Sequence, residues 1–240
     1  MCFSATASFS AGTFLLGLGV LTLNSTRSPH ERMFAAIPLL FAIQQLIEGV
    51  IWLTFTRDVP LLNVVMTHAY SFFSHVLWPI YVPIAVLLIE PPGPRRGALV
   101  AFVLVGLAVG LYLLYFLAIF PVISRPVGQH IEYVSPHFFA AAAMALYLLS
   151  TSVSLVLSAH RAVKVFGTLA LLSFAAAYYF YARWFISVWC LFAALMSAVI
   201  YFHFAWRDAG RSSPPYPFSA TGSDQARRNL SNLAHRSEQR

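Results

Sequence analysis

Seven stretches of the chain are long and apolar enough to cross a lipid bilayer, over about 10 to 26, 33 to 55, 61 to 89, 97 to 120, 135 to 159, 163 to 182 and 184 to 206. A helix needs roughly 20 predominantly apolar residues to cover the hydrocarbon core, and the short joints between these stretches leave no room for a soluble domain. Composition agrees. Hydrophobic residues make up 59% of the chain and charged residues 10%, against about a half and a quarter in soluble domains. The expected fold is all-α, a seven-transmembrane-helix bundle over 10–206. It is preceded by an uncharged segment, 1–9, and followed by a tail, 207–240, whose Ser, Pro, Arg and Asn without apolar periodicity read as disorder.

Orientation follows from the cations, because Lys and Arg near membrane segments stay cytoplasmic. With the N-terminus outside, the inner joints hold Arg27, Arg32, Arg95, Arg96, Arg161 and Lys164, and the tail adds Arg207, Arg211, Arg227, Arg228, Arg236 and Arg240. Only Arg57, Arg125 and Arg183 fall outside. The expectation is a multi-pass protein of the cell (plasma or inner) membrane, C-terminus in the cytoplasm. The net charge of +7 is then explained by topology and anionic lipid, and nucleic acid is not an expected partner. The first helix reads as retained, since a signal peptide begins with basic residues and here Arg27 follows the apolar run.

Ionisable groups inside apolar helices are expensive unless they face the bundle interior, which makes each a functional candidate. In FAIQQLIEGVIW, the residues Gln44, Gln45, Glu48 and Trp52 fall within about 100° of one another on a helix and form one polar stripe. The run THAYSFFSHVLWP brings His68, Ser71, His75 and Trp78 to one face. The last helix brings Ser187, Cys190, Ala194, Ser197 and Tyr201, and the fifth brings Tyr147, Ser150, Thr151, Ser154 and Ser158. At about 1.5 Å per residue, Glu48, His68 and Cys190 each lie roughly 10 Å below the outer helix ends. They are candidates to meet at one level.

The opening MCFSATASF lacks charge, so it can fold back as a re-entrant or plug segment into the outer mouth, where protein would bury its irregular backbone. Cys2 would then approach Glu48, His68 and Cys190, a set able to ligate a divalent metal, zinc by ligand type. Cys2 and Cys190 are the only cysteines, and a disulfide between them or two simply packed thiols remain open alternatives. Between the fourth and fifth helices, the segment from about 121 to 134 is long enough to cover the outer mouth, as a lid or as a plain loop. Trp78-Pro79 and Pro83 predict a kink in the third helix, and Gly106-x-x-x-Gly110 predicts a close helix contact.

The blocks MCFSATASF, PLLFAIQQLIEGVIW, FSHVLWPIYVP and SVWCLFAA resemble those of an uncharacterised bacterial family of multi-pass membrane proteins carrying a domain of unknown function. They include Cys2, Gln44, Gln45, Glu48, Trp78, Pro79 and Cys190. A more distant similarity is to the seven-helix membrane hydrolases that include alkaline ceramidases, on the strength of Ser71-x-x-x-His75. That resemblance implies catalytic roles for Ser71 and His75, alongside Glu48, and a zinc centre. The His-x-x-x-His of that group's last helix is replaced here by His203 alone. No Lys stands in the last helix to form a retinal Schiff base. Two functions follow as expectations: a metal-dependent hydrolase acting on a lipid or other amphiphile, or a non-enzymatic binding protein or transporter in which Glu48 accepts a proton. The oligomeric state has no signature in the sequence.

Overall fold

The computed structural model describes residues 4–135, 140–181, 194 and 197–209. Residues Met1–Ala205 form one compact unit; of the second, Trp206–Arg240, the described part is the end of a helix. Five apolar helical spans are long enough to cross a membrane: Ala5–Asn24, Pro29–Arg57, Pro60–Ile89, Pro94–Ile119 and Ala140–Leu157. Large apolar side chains such as Leu104, Leu111 and Tyr115 are exposed on their outward faces, as bilayer-embedded helices require. The stretch expected at 163 to 182 is a helix, Arg161–Tyr181, and most of the seventh stretch lies outside the described residues.

Helix α1 (Ala5–Asn24) starts where Ser4, in extended conformation, accepts a hydrogen bond from the Ala7 amide at 3.2 Å. This N-cap satisfies one of the open amides of the first turn. Residues 5–9, expected as an irregular arm, are therefore the first turns of α1; an uncharged, Ser-capped sequence continues a helix as readily as it forms a plug. The second span breaks into α2 (Pro29–Ala35) and α3 (Ile37–Arg57), because Pro38 has no amide hydrogen to return to the preceding turn. Asp58, left-handed at φ 48°, ends α3 and turns the chain into α4 (Pro60–Ser71). Gly19 lets α1 and α3 touch: a Cβ there would lie 2.7 Å from the Leu39 amide nitrogen.

The third span continues from α4 through a π-helical segment, Phe72–Leu77, into α5 (Trp78–Ile89). Wide turns of this kind are uncommon and concentrate at functional sites. Their i to i−5 pattern would assign the Ser74 carbonyl to the amide of residue 79, but that residue is proline. Tyr147 takes the carbonyl instead, donating its hydroxyl at 2.6 Å. Pro83 similarly leaves the Pro79 carbonyl without a helical partner, and α6 (Arg95–Ile119) brings Gly106 against it, where any Cβ would collide with that oxygen. The expected kink is thus resolved as a π turn plus a glycine contact. A second π segment, Leu149–Val153, separates α7 (Ala140–Leu148) from α8 (Ser154–Leu157). Helices α9 (Arg161–Tyr181) and α10 (Ala198–Ala209) follow.

One element departs from the all-α expectation. Strands β1 (Ile123–Val127) and β2 (His130–Val134) form an antiparallel hairpin in which Arg125 faces Glu132. Its two-residue turn places Gly128 at φ 59°, a conformation glycine enters without Cβ strain. The core extends from Leu15 and Phe41 through Trp78, Val82 and Val109 to Leu155, Phe166 and Phe204.

Candidate functional site

Helix α3 turns Gln44, Gln45 and Glu48 inward, all with no exposed surface. The Gln44 side-chain oxygen accepts from the Trp78 indole at 2.7 Å, and Trp78 stacks on Phe41 with ring centroids 4.0 Å apart. The remaining polar atoms of the stripe are unusual. Gln44 Nε2, both polar atoms of Gln45, and Trp52 Nε1 are buried without a hydrogen-bond partner, as are Ser8 Oγ and Ser71 Oγ. Each such atom costs about 1–3 kcal/mol relative to a satisfied one. Four of them lie on α3 within eight residues of one another, around the one carboxyl of that helix, and a ligand, ion or water with hydrogen-bonding capacity would satisfy them.

The hairpin supplies the other wall. Tyr133 stacks almost parallel on Tyr70, 4.5 Å and 5° apart, and donates its hydroxyl to Glu48 Oε1 at 3.4 Å, a long, weak bond beyond the usual range of about 2.5–3.0 Å. Ile131 on the hairpin, Ile51 on α3 and Tyr70 on α4 form a small apolar cluster of their own. A chain of neutral hydrogen bonds fastens the base: Thr67 donates to Ser124 at 2.8 Å, Ser124 to Asn63 at 3.1 Å, and Asn63 to Thr54 at 2.7 Å. Burial holds the His130 imidazole below its usual 6.5. The segment expected as a lid or loop is therefore a docked hairpin that reaches the buried acid.

The Thr54–Asn63 bond also ties α3 to α4, with Glu48 six residues before Thr54 and His68 five residues after Asn63. A similar level along two helices is not contact. His68 is half-buried, and its Nδ1 bonds the Val64 carbonyl one turn back at 2.8 Å. Cys2 and Cys190 lie outside the described residues, as does His137. Among the described residues no three of His, Cys, Asp and Glu gather closely enough to hold a metal ion. Glu48 and His68 thus do not by themselves make a metal centre.

Ser71 and His75 come together elsewhere. They line a cavity of about 10 Å³ with Leu113, Phe116, Leu117, Val122 and Ser135, space for about one water. Glu48 does not line it. The His75 Nδ1 meets the Ser71 carbonyl at 3.1 Å and the Ser74 hydroxyl at 2.8 Å, while the Ser71 hydroxyl is unpartnered. The Ser-x-x-x-His spacing thus produces a shared pocket without a hydrogen bond between the Ser71 hydroxyl and the His75 imidazole. On the fifth span Tyr147, Ser150, Thr151, Ser154 and Ser158 are all buried, as their common face predicted.

The model of one protein family matches residues 1–214, nearly the whole chain. The chain belongs to DUF6629, a family of unknown function. No curated protein and no solved structure matches it. The DUF6629 match ends at residue 214, just past α10, and leaves most of the basic tail outside.

Two polar residues of this DUF6629 chain escaped the sequence reading. Tyr133 looks like a loop residue until the hairpin is folded; the alternation in HIEYV was its only local signal. Glu90 sits at the end of α5, before Pro91-Pro92-Gly93-Pro94, and resembles an exposed loop acid. It is 3% exposed. Its carboxylate accepts from the Ser158 hydroxyl at 2.9 Å and from the Ala159 amide at 3.0 and 2.9 Å, and the His160 Nε2 lies 3.0 Å from the neighbouring Ile89 carbonyl. Glu90 clamps the α8–α9 joint at the bundle end opposite the hairpin.

Proposed function

We propose that the protein is a non-enzymatic membrane binding protein or transporter in which Glu48 accepts and releases a proton as a small molecule or ion binds beneath the hairpin. The observation that carries this reading is the fully buried Glu48 carboxyl, contacted by Tyr133 and flanked by the unpartnered Gln44 Nε2 and the unpartnered side-chain amide of Gln45. A carboxyl inside a membrane bundle is a common element of proton relays, and neutral donors and acceptors around it bind polar ligands without adding a competing charge. The accompanying topology is seven helices, N-terminus outside and C-terminus in the cytoplasm. It is supported by the bias of Lys and Arg towards one set of joints.

The test uses proteoliposomes loaded with a pH-sensitive dye and challenged with a panel of small solutes and monovalent cations. The expected result is solute-dependent proton movement in the wild type that Glu48→Gln abolishes. Chemical conversion of a lipid or amphiphile, together with about one zinc per chain that Glu48→Gln removes, would replace this reading. The metal-dependent hydrolase drawing on Cys2, Glu48, His68 and Cys190, with Ser71 and His75 as further catalytic candidates, would then stand in its place.

A further inference from the structure

A second site is marked by a hydroxyl that does not behave like its neighbours. Hydroxyls in membrane helices usually bond back to a carbonyl three or four residues earlier. On the fifth span Ser150 and Thr151 do so to Tyr147, and Ser154 does so to Ser150. Ser152 does not. Its Oγ is buried, at 1% residue exposure, and has no partner. It sits in the second π segment beside Ser150 and Thr151, which do bond back.

Ser152 lines a cavity of about 40 Å³ between α3, α5, α9 and the π segment, walled by Phe41, Trp78, Val82, Leu155 and Phe166. About 10–15 Å³ on this measure holds one water, so the cavity exceeds a single water about threefold. A water at Ser152 would also need two to four polar partners, and the walls are almost entirely hydrocarbon and aromatic. The Thr151 and Tyr147 hydroxyls, the other polar groups at the cavity, are already committed to carbonyl acceptors at 2.8 and 2.6 Å. The unspent hydroxyl donor is that of Ser152 alone, in an apolar chamber between helical segments.

We infer that this cavity is a binding site for a slender neutral amphiphile, a straight hydrocarbon chain with one hydroxyl or carbonyl oxygen that hydrogen-bonds to Ser152. Such a ligand replaces two unfavourable surfaces at once. Its chain fills space that water occupies poorly, and its oxygen satisfies the orphan hydroxyl. A charged or multiply polar head would lose its own hydration without finding partners. The site is separate from the Glu48 stripe, although Trp78 belongs to both: its ring walls the cavity and its indole N–H holds Gln44.

The same chemistry is presented by a free fatty alcohol and by the ester end of a lipid acyl chain, and bromine quenching of Trp78 fluorescence distinguishes them. In one arm the detergent-solubilised full chain is titrated with 6-bromohexan-1-ol; in the other it is reconstituted with a phospholipid brominated on its acyl chain. The expected result is saturable quenching in one arm, identifying the source. That quenching is lost in Trp78→Phe and in the cavity-filling Ala170→Phe, and weakened about three- to tenfold in Ser152→Ala, the loss of one hydrogen bond. 1-Bromohexane, which lacks the oxygen, should bind several-fold more weakly than the alcohol. Thermal unfolding of each variant verifies that it is folded, and Ala170→Leu replaces Ala170→Phe if the larger residue prevents folding. Linear, non-saturating quenching in both arms, or saturation indifferent to both Ser152→Ala and the cavity-filling variant, overturns the inference.

Discussion

At the scale of single residues, the two buried carboxyls contrast in how their surroundings complete them. Glu90 is fully engaged by one hydroxyl and one backbone amide, which identifies it as a structural clamp. Glu90→Ala leaves both donors unsatisfied and should cost on the order of 3 kcal/mol, whereas Glu90→Gln, which keeps an acceptor, should cost less than half as much. Thermal unfolding in detergent measures both. Glu48 is surrounded instead by atoms with unspent capacity, as the proposed proton and ligand site requires. Its burial was legible because an acid within FAIQQLIEGVIW has no membrane-compatible placement except an inward-facing one. Glu90 was not legible, since an acid followed by PPGPRR has the same local sequence whether it faces water or closes over a neighbouring joint.

Among the elements, five of the seven expected spans were readable, and their internal irregularities were not. Apolar length marks a crossing, and Pro79 and Pro83 announce disturbed hydrogen bonding. The π turn that absorbs the disturbance depends on Tyr147 arriving from a different span. Gly106-x-x-x-Gly110 was correctly read as a close contact, and Gly106→Leu should destabilise the protein by about 3 kcal/mol, because the new side chain must displace the Pro79 carbonyl; unfolding in detergent again measures it. The hairpin was read only as an outer covering segment, since docking through Tyr133 and Ser124 is a tertiary event. It should respond to pH. The folded-state affinity of His130 for protons is lowered from the usual 6.5, so undocked chain binds the proton more readily. The docked state is therefore fully favoured above about pH 6.5 and loses stability as pH falls through the lower folded value. Hydrogen exchange of amides 123–134, corrected for intrinsic rates, should show weaker protection in acid, and His130→Gln should remove that dependence.

At the largest scale, the unit formed by residues Met1–Ala205 is a helical bundle with two differently built ends. One carries the hairpin above Glu48; the other carries the Glu90 clamp, with Arg95, Arg96, Arg161 and Lys164 in the adjoining helix starts. In a Cys2→Ser, Cys190→Ser background, Gln129→Cys should react with an impermeant maleimide in intact cells and Gly93→Cys only after permeabilisation. The opposite pattern would invert the proposed orientation. A carboxyl that takes up and releases a proton inside the membrane is visible by infrared difference spectroscopy of the reconstituted protein. Between acidic and alkaline buffer, a protonated-carboxyl C=O band should appear and disappear in the wild type and be missing from Glu48→Gln. Spectra of wild type and Glu48→Gln that show identical carboxyl changes across the whole pH range would contradict it.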